Sequence, residues 1–309
     1  MTTTTAPAAT TTAPAATAAA PAPASAPPSV LRSLLRNRLA AVALLFLLLI
    51  VVCALFAPLI APADPGAQNL LGRLRPPAWQ SGGSADHLLG TDQLGRDLLS
   101  RVIYGTRVSL LVGAGAALLA GVIGTVAGLA SGYLGGWTDR VVMRVADVQL
   151  AFPAILLALA VVGFVGSGLG YVILVIGITG WVSYARVVRS EVLSLRTRDF
   201  ITEARAIGVG DRAIMRRHLL PNVMAPLATI GTLHIASAIV AEASLSYLGL
   251  GVPKETVTWG GMLSDGQLYL GTSWWIAVFP GIALMLTSLS INILGDALRD
   301  VADPKAYRR

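Results

Sequence analysis

His234 and Glu242 stand eight residues apart, two turns along one face of an otherwise apolar run. Ionisable groups in lipid are costly and face a bundle interior or a wet cavity. An imidazole and a carboxyl at this spacing could touch a polar cargo on a translocation path. The bland alternative is a pair of buried structural polar groups. Other chemistry lacks its parts. There is no G-x-x-x-x-G-K-[ST] phosphate loop, and the two lysines, Lys254 and Lys305, each follow a proline. His87, His218 and His234 lie in three separate segments without an H-E-x-x-H, and no G-x-S-x-G occurs. Cys53 is the single cysteine, which rules out a disulfide within the chain. No catalytic residue, metal site or cofactor site is expected, and the chain is not expected to be an enzyme.

The elements around these residues are membrane spans. Only 13% of the 309 residues are charged and 55% are hydrophobic, against about 25% charged for a soluble domain. Six apolar runs, near 39–60, 108–133, 141–165, 169–187, 223–246 and 274–296, reach the roughly 20 residues that cross a bilayer. Lipid cannot satisfy free backbone groups, so each run is expected to be helical. With the N-terminus inside, 17 of the 23 basic residues fall on cytoplasmic segments and six on outer ones. That bias puts both termini in the cytoplasm. The Arg residues lie along membrane flanks with no aromatic platform, which argues against nucleic acid.

Residues 1–29 are Thr/Ala/Pro low complexity and read as a disordered cytoplasmic tail. Residues 61–107 form an outer loop whose second half regains helical spacing through Leu94, Leu98, Leu99 and Val102. Asp97 and Arg101 lie four apart there, a spacing for a local ion pair. Asp147 follows Arg144 by three, a second candidate pair. In the second run Gly113, Ala117 and Gly121 repeat every four residues, and Gly124, Gly128 and Gly132 continue the row. Small residues at this spacing let helix backbones approach closely.

The charged stretch between the fourth and fifth runs, Arg196 to Asn222, is the other notable feature. Its apolar spacing predicts two short helices, with Gly208 and Gly210 in the break, Asp211 as an N-cap and Pro221 as the stop. Arg205, Arg212, Arg216 and Arg217 offer charged contacts to a soluble partner, the alternative being a solvated face or lipid headgroups. A membrane protein that displays a small two-helix block on one face usually docks something there.

This stretch resembles the ATPase-docking motif of ABC importer permeases: Glu-Ala-Ala, a Gly, then Leu-Pro. Gly208 and Leu220-Pro221 have the motif's spacing, and Ala204-Arg205-Ala206-Ile207-Gly208 fits its middle. The motif's Glu position is Thr202, and the acid stands one residue later at Glu203. The runs GTDQLGRDLLSRVIYGTRVSLLVG at 90–113, EASLSYLGLGVPKETVTWGGMLSDG at 242–266 and FPGIALMLTSLSINILGDALRDVADP at 279–304 resemble signatures of the dipeptide, oligopeptide and nickel branch, specifically its C-type permease.

The resemblance implies an all-α polytopic membrane protein with six transmembrane helices in the type I ABC importer permease architecture. Its expected parts are a tail at 1–29, a first transmembrane helix at 30–60, an extracytoplasmic loop at 61–107, a five-helix core at 108–298 containing the docking segment 196–222, and a cytoplasmic tail at 299–309. The implied docking residues are Thr202, Glu203, Ala204, Arg205, Gly208, Asp211, Arg212, Arg216, Leu220 and Pro221. The implied partners are a sister permease, two ABC ATPase subunits, an extracytoplasmic binding protein and membrane lipid. The implied cargo is a dipeptide or oligopeptide, with nickel as the alternative. An ATP-independent channel or carrier is the rival from another class; it predicts charged or broken helices at the midplane.

Overall fold

The computed structural model describes residues 34–253 and 255–302. The Thr/Ala/Pro segment, Lys254 and the last seven residues lie outside them. No strand occurs among the described residues, only an isolated bridge between Thr91 and Asp97.

Helix α1 (Arg38–Leu55) starts at Asn37, whose side chain accepts from the Leu39 amide at 3.0 Å and satisfies one free donor of the helix start. An irregular segment leads to α2 (Leu98–Leu134), which at 37 residues is about 55 Å long. Then come α3 (Gly136–Leu150), α4 (Ala154–Val165), α5 (Leu169–Leu195) and the short α6 (Asp199–Ala206). Helices α7 (Asp211–Tyr247), α8 (Trp259–Gln267) and α9 (Trp275–Ala302) complete the chain.

Five of these helices are long and apolar enough to cross a membrane, and six if α3 and α4 together make one crossing. The helical run expected at 141–165 is broken: Pro153, which cannot continue a helix from behind, separates two helices bent by 91°. The packing of α5 on α2 shows that the bent pair must still return across the bundle. Gly124, Gly128 and Gly132 of α2 lie against Tyr184, Val188 and Val192 of α5, in the same order along both helices. The two helices therefore run parallel, and the chain from 135 to 168 has to travel back. Contacts along α3 agree, since Asp139 meets Arg189, Asp147 meets Arg186, and Gln149 accepts from the Trp181 indole at 2.8 Å.

The small-residue row is used on two faces. A Cβ on Gly124 or Gly128 would lie 2.5 or 2.6 Å from a backbone oxygen of α5, that of Trp181 or Ala185, whereas one on Gly113 would strike Ile239 of α7 at 2.7 Å. The missing side chains let α2 and α5 pack backbone to backbone.

At the end of the bundle where α2 begins, residues 61–97 fold into a cap of turns. The cap is pinned by Trp275, whose indole donates to the Thr91 carbonyl at 3.1 Å. Fully buried Trp259 donates to the Val102 carbonyl at 3.0 Å. Helix α2 begins at Leu98, inside the loop expected over 61–107, because the Asp97 carboxylate accepts from the Ser100 amide and hydroxyl at 2.8 and 2.7 Å. Leu94 therefore precedes the helix instead of continuing its stripe. Nor do Asp97 and Arg101 pair: Asp97 bonds His87 at 2.9 Å, and Arg101 turns to Asp92 at 3.5 Å. The Asp147–Arg144 expectation fails similarly, since Asp147 pairs with Arg186 at 2.7 Å.

Candidate functional site

The charged stretch folds as two limbs joined by a tight turn. The first limb is α6, and it ends in a left-handed glycine, Gly208, with φ +82°. The Gly208 amide donates to the Arg205 carbonyl and the Val209 amide to the Ala204 carbonyl, both at 3.0 Å. That pair of bonds satisfies the last carbonyls of the helix, and only glycine reaches this φ freely. Val209 and Ala204 also meet in a small apolar core with Ile201, Ile214, Leu219 and Val192. The turn is thus fixed by bonds and by packing.

The second limb begins at Asp211, with Gly210 as its N-cap. Asp211 is therefore not the cap expected from the sequence. Its carboxylate is engaged elsewhere, accepting from the Tyr133 hydroxyl at 2.6 Å. The limb also does not stop at Pro221. It continues through a π-helical turn, Met215–Leu219, straight into α7. The Leu220 amide reaches back five residues to the Met215 carbonyl, and this widened turn makes room for a proline ring that would clash in regular helix. The second limb and the fifth span are thus one rod.

The outward face of the block carries most of the sequence-predicted residues. Thr202, Glu203, Arg205, Gly208, Asp211, Arg212, Arg216 and Pro221 are exposed, Ala204 is buried and Leu220 is half-buried. Sequence reasoning missed Ile207, which stands 80% exposed at the tip beside Gly208. An isoleucine so placed is readable only once the turn is known. It also missed Tyr133, buried at the end of α2 beneath both limbs.

Toward the middle of the bundle, α2 and α7 frame a groove of about 590 Å³, walled by Leu118, Gly121, Val122, Tyr184, Leu227 and Gly231 among others. Its surface is nearly all apolar. His234 lies behind this wall, edge-on to Tyr184 with ring centroids 5.3 Å apart. Among the described residues its Nδ1 has no hydrogen-bond partner, and neither does the Tyr184 hydroxyl. Glu242 is fully buried, and its Oε1 accepts from the Ser246 hydroxyl at 2.7 Å. His234 and Glu242 share a helix but do not meet, and neither is among the residues that wall the groove.

The structure thus places an exposed two-limbed block at the end of a bundle of five, or up to six, membrane-length helices. Residues 124–307 match the profile of the family described as binding-protein-dependent transport system inner membrane component. The chain belongs to that family. Residues 29–77 match a second profile, the N-terminal transmembrane domain of oligopeptide transport permease C. The chain is 44% identical, over 89% of its length and 90% of the relative's, to the di/tripeptide transport system permease protein DppC of Pseudomonas aeruginosa. It is 40% identical to the dipeptide transport system permease protein DppC of Haemophilus influenzae, over 87% of this chain and 92% of that one. A 43% match over 89% of each chain is to the glutathione transport system permease protein GsiD of Escherichia coli. A chain of the inward-facing MetNI methionine ABC transporter superposes with a TM-score of 0.54 over 66% of this chain and 97% of that one, at 21% identity. This permease therefore has the all-α, multi-pass fold of the type I ABC importers.

Proposed function

We propose that this permease moves peptides inward across the cytoplasmic membrane, as one half of a pathway formed with a sister permease. An extracytoplasmic binding protein delivers the cargo, and two separate ATPase subunits supply the energy. The di/tripeptide, dipeptide and glutathione transport of the relatives favours peptide cargo over nickel.

One observation carries the reading: the second limb of the exposed block is continuous with α7, a wall of the apolar groove, and the first limb is packed onto it. A force on the tip at Ile207 and Gly208 is therefore a force on the groove. In this reading Thr202, Glu203, Arg205, Arg212 and Arg216 rim the contact, Ile207 is its apolar centre, and Ala204, Gly208, Leu220 and Pro221 hold the shape. Closure of the ATPase subunits on ATP moves the block as a rigid body and exchanges which side the groove faces. Energy enters only as the difference in ATP affinity between the two arrangements. The apolar wall suits a cargo that passes without being held. His234 and Glu242 act, on this reading, behind the wall rather than as cargo ligands. Both termini are cytoplasmic, following the bias of basic residues.

The test is crosslinking in the assembled complex. Ile207→Cys, in a Cys53→Ser background, should crosslink to an ATPase subunit and not to the binding protein. Crosslinks to the binding protein alone would overturn both the docking role and the orientation.

A further inference from the structure

Both limbs of the block converge on one hydroxyl group. The Tyr133 hydroxyl donates to Asp211 Oδ1 of the second limb at 2.6 Å and accepts from Arg205 Nε of the first at 3.3 Å. The Arg205 guanidinium also lies over the Tyr133 ring, 4.9 Å from its centroid. Among the described residues, no other side chain of α2, α3 or α5 hydrogen-bonds to either limb. Tyr133 is the penultimate residue of α2 and 5% exposed. Its ring belongs to the small core that seats the block.

The position matters because of what α2 is. The helix runs the length of the bundle and supplies Leu118, Gly121 and Val122 to the groove wall opposite α7. The second limb is continuous with α7 by backbone; among the described residues its one side-chain hydrogen bond to α2, and that of α6, is with Tyr133, while Arg196, at the end of α5, donates to the Gly132 carbonyl of α2 at 3.2 Å. A groove bounded by two helices changes shape when both are driven, or when one is driven against the other.

Resting on the reading of the block as the ATPase dock, we propose that Tyr133 is a positioning residue for transport, and that its hydroxyl ties the block to α2 so that the nucleotide-driven movement reaches both groove walls. Charge-assisted hydrogen bonds are roughly twice as strong as neutral ones, and this one is partly buried. The link holds through the cycle, so α2 follows the block as a lever. Without the hydroxyl the ring still fills its site, the dock still binds, and α7 moves alone.

The experiment uses the complete complex in proteoliposomes, with Leu118→Cys in a Cys53→Ser background reporting on the α2 wall. Leu118 is 71% exposed on that wall. The readout is maleimide labelling rate, nucleotide-free against trapped with ATP and vanadate, which requires no knowledge of the cargo. The trapped state should change the rate by of the order of tenfold in the parent, and Tyr133→Phe should flatten the change while ATPase retention and vanadate trapping persist, the pattern of a lost coupling term. Asp211→Ala should flatten it too, and Tyr133→Phe with Asp211→Ala should be no worse than either alone. Asp211→Asn keeps an acceptor and should retain most of the response. A wild-type response in Tyr133→Phe, effects that multiply in the double variant, loss of the ATPase subunits from Tyr133→Phe, or a parent rate blind to nucleotide would each overturn the proposal. Failure of the underlying dock reading shows separately, as absence of the Ile207→Cys crosslink in a complex whose Tyr133 is intact.

Discussion

Arg189 donates to both oxygens of Asp139, through Nε at 2.5 Å and Nη2 at 2.6 Å, and so ties the first turn of α3 to the last third of α5. The Ser131 hydroxyl of α2 donates to the same carboxylate at 2.6 Å. One aspartate therefore gathers three helices beside the block. The two-point geometry fixes direction as well as distance, and the helix it fixes is the one that must turn back after α2.

The first prediction follows from that pair. Asp139→Arg and Arg189→Asp should each lower the amount of folded permease, and the exchanged double variant should recover part of it. Both groups are about a quarter to a third exposed, so water screens the pair. A coupling energy of about 0.5–1.5 kcal/mol in a double-mutant cycle is the expectation. Zero coupling in unfolding midpoints would show that the three helices are held by packing alone.

A second prediction concerns Gly208. A Cβ there would meet nothing within 4 Å, so substitution costs backbone strain and no clash. At φ +82° a β-branched residue costs about 1–3 kcal/mol, whereas Asn tolerates the left-handed region better. Gly208→Val should insert normally but lose substrate-stimulated ATP hydrolysis or ATPase retention, and Gly208→Asn should keep most of both. Equal behaviour of the two variants would remove strain as the cause.

Gly208 also shows how much of the site was legible. Its place in the break between two helices could be read from spacing, and so could the row of glycines that lets α2 and α5 touch. What could not be read was the use made of Asp211. An acid at a helix start looks like a cap, but a residue 78 positions earlier takes its carboxylate, and no local pattern announces that. Pro221 misled for a related reason. Proline usually ends a helix, and only the π-turn at Met215–Leu219 lets this one sit inside a rod. The bent pair α3–α4 was read as one run because hydropathy averages over a bend. Asp97 and Asp147 found partners in three dimensions that i, i+3 and i, i+4 spacing did not offer.

Helix contact gives the third prediction. Gly124→Leu and Gly128→Leu should each prevent accumulation of the permease, because the added atoms would lie on the backbone of α5. Overpacking costs about 1–3 kcal/mol where neighbours can move and more where they cannot. Gly163→Leu in α4 is the control, since a Cβ there meets nothing within 4 Å. Comparable membrane levels of Gly128→Leu and Gly163→Leu would mean that the α2–α5 contact is looser than drawn.

The last prediction tests the path of the chain. Since α2 and α5 run parallel, the segment between them must return across the membrane despite the 91° bend. Residues near Gly166 and near Ser81 then share one side, and Gly210 lies on the other. The distribution of basic residues assigns the first side to the exterior. Single cysteines at Ser81, Ser167 and Gly210, in a Cys53→Ser background, should respond to an impermeant maleimide in intact cells as labelled, labelled and protected. Protection at Ser167 with labelling at Ser81 would make α3–α4 a re-entrant hairpin and break the parallel pairing on which the six-crossing topology stands. Labelling at Gly210 would be the graver result, because it would put the block outside, where no ATPase subunit could reach it.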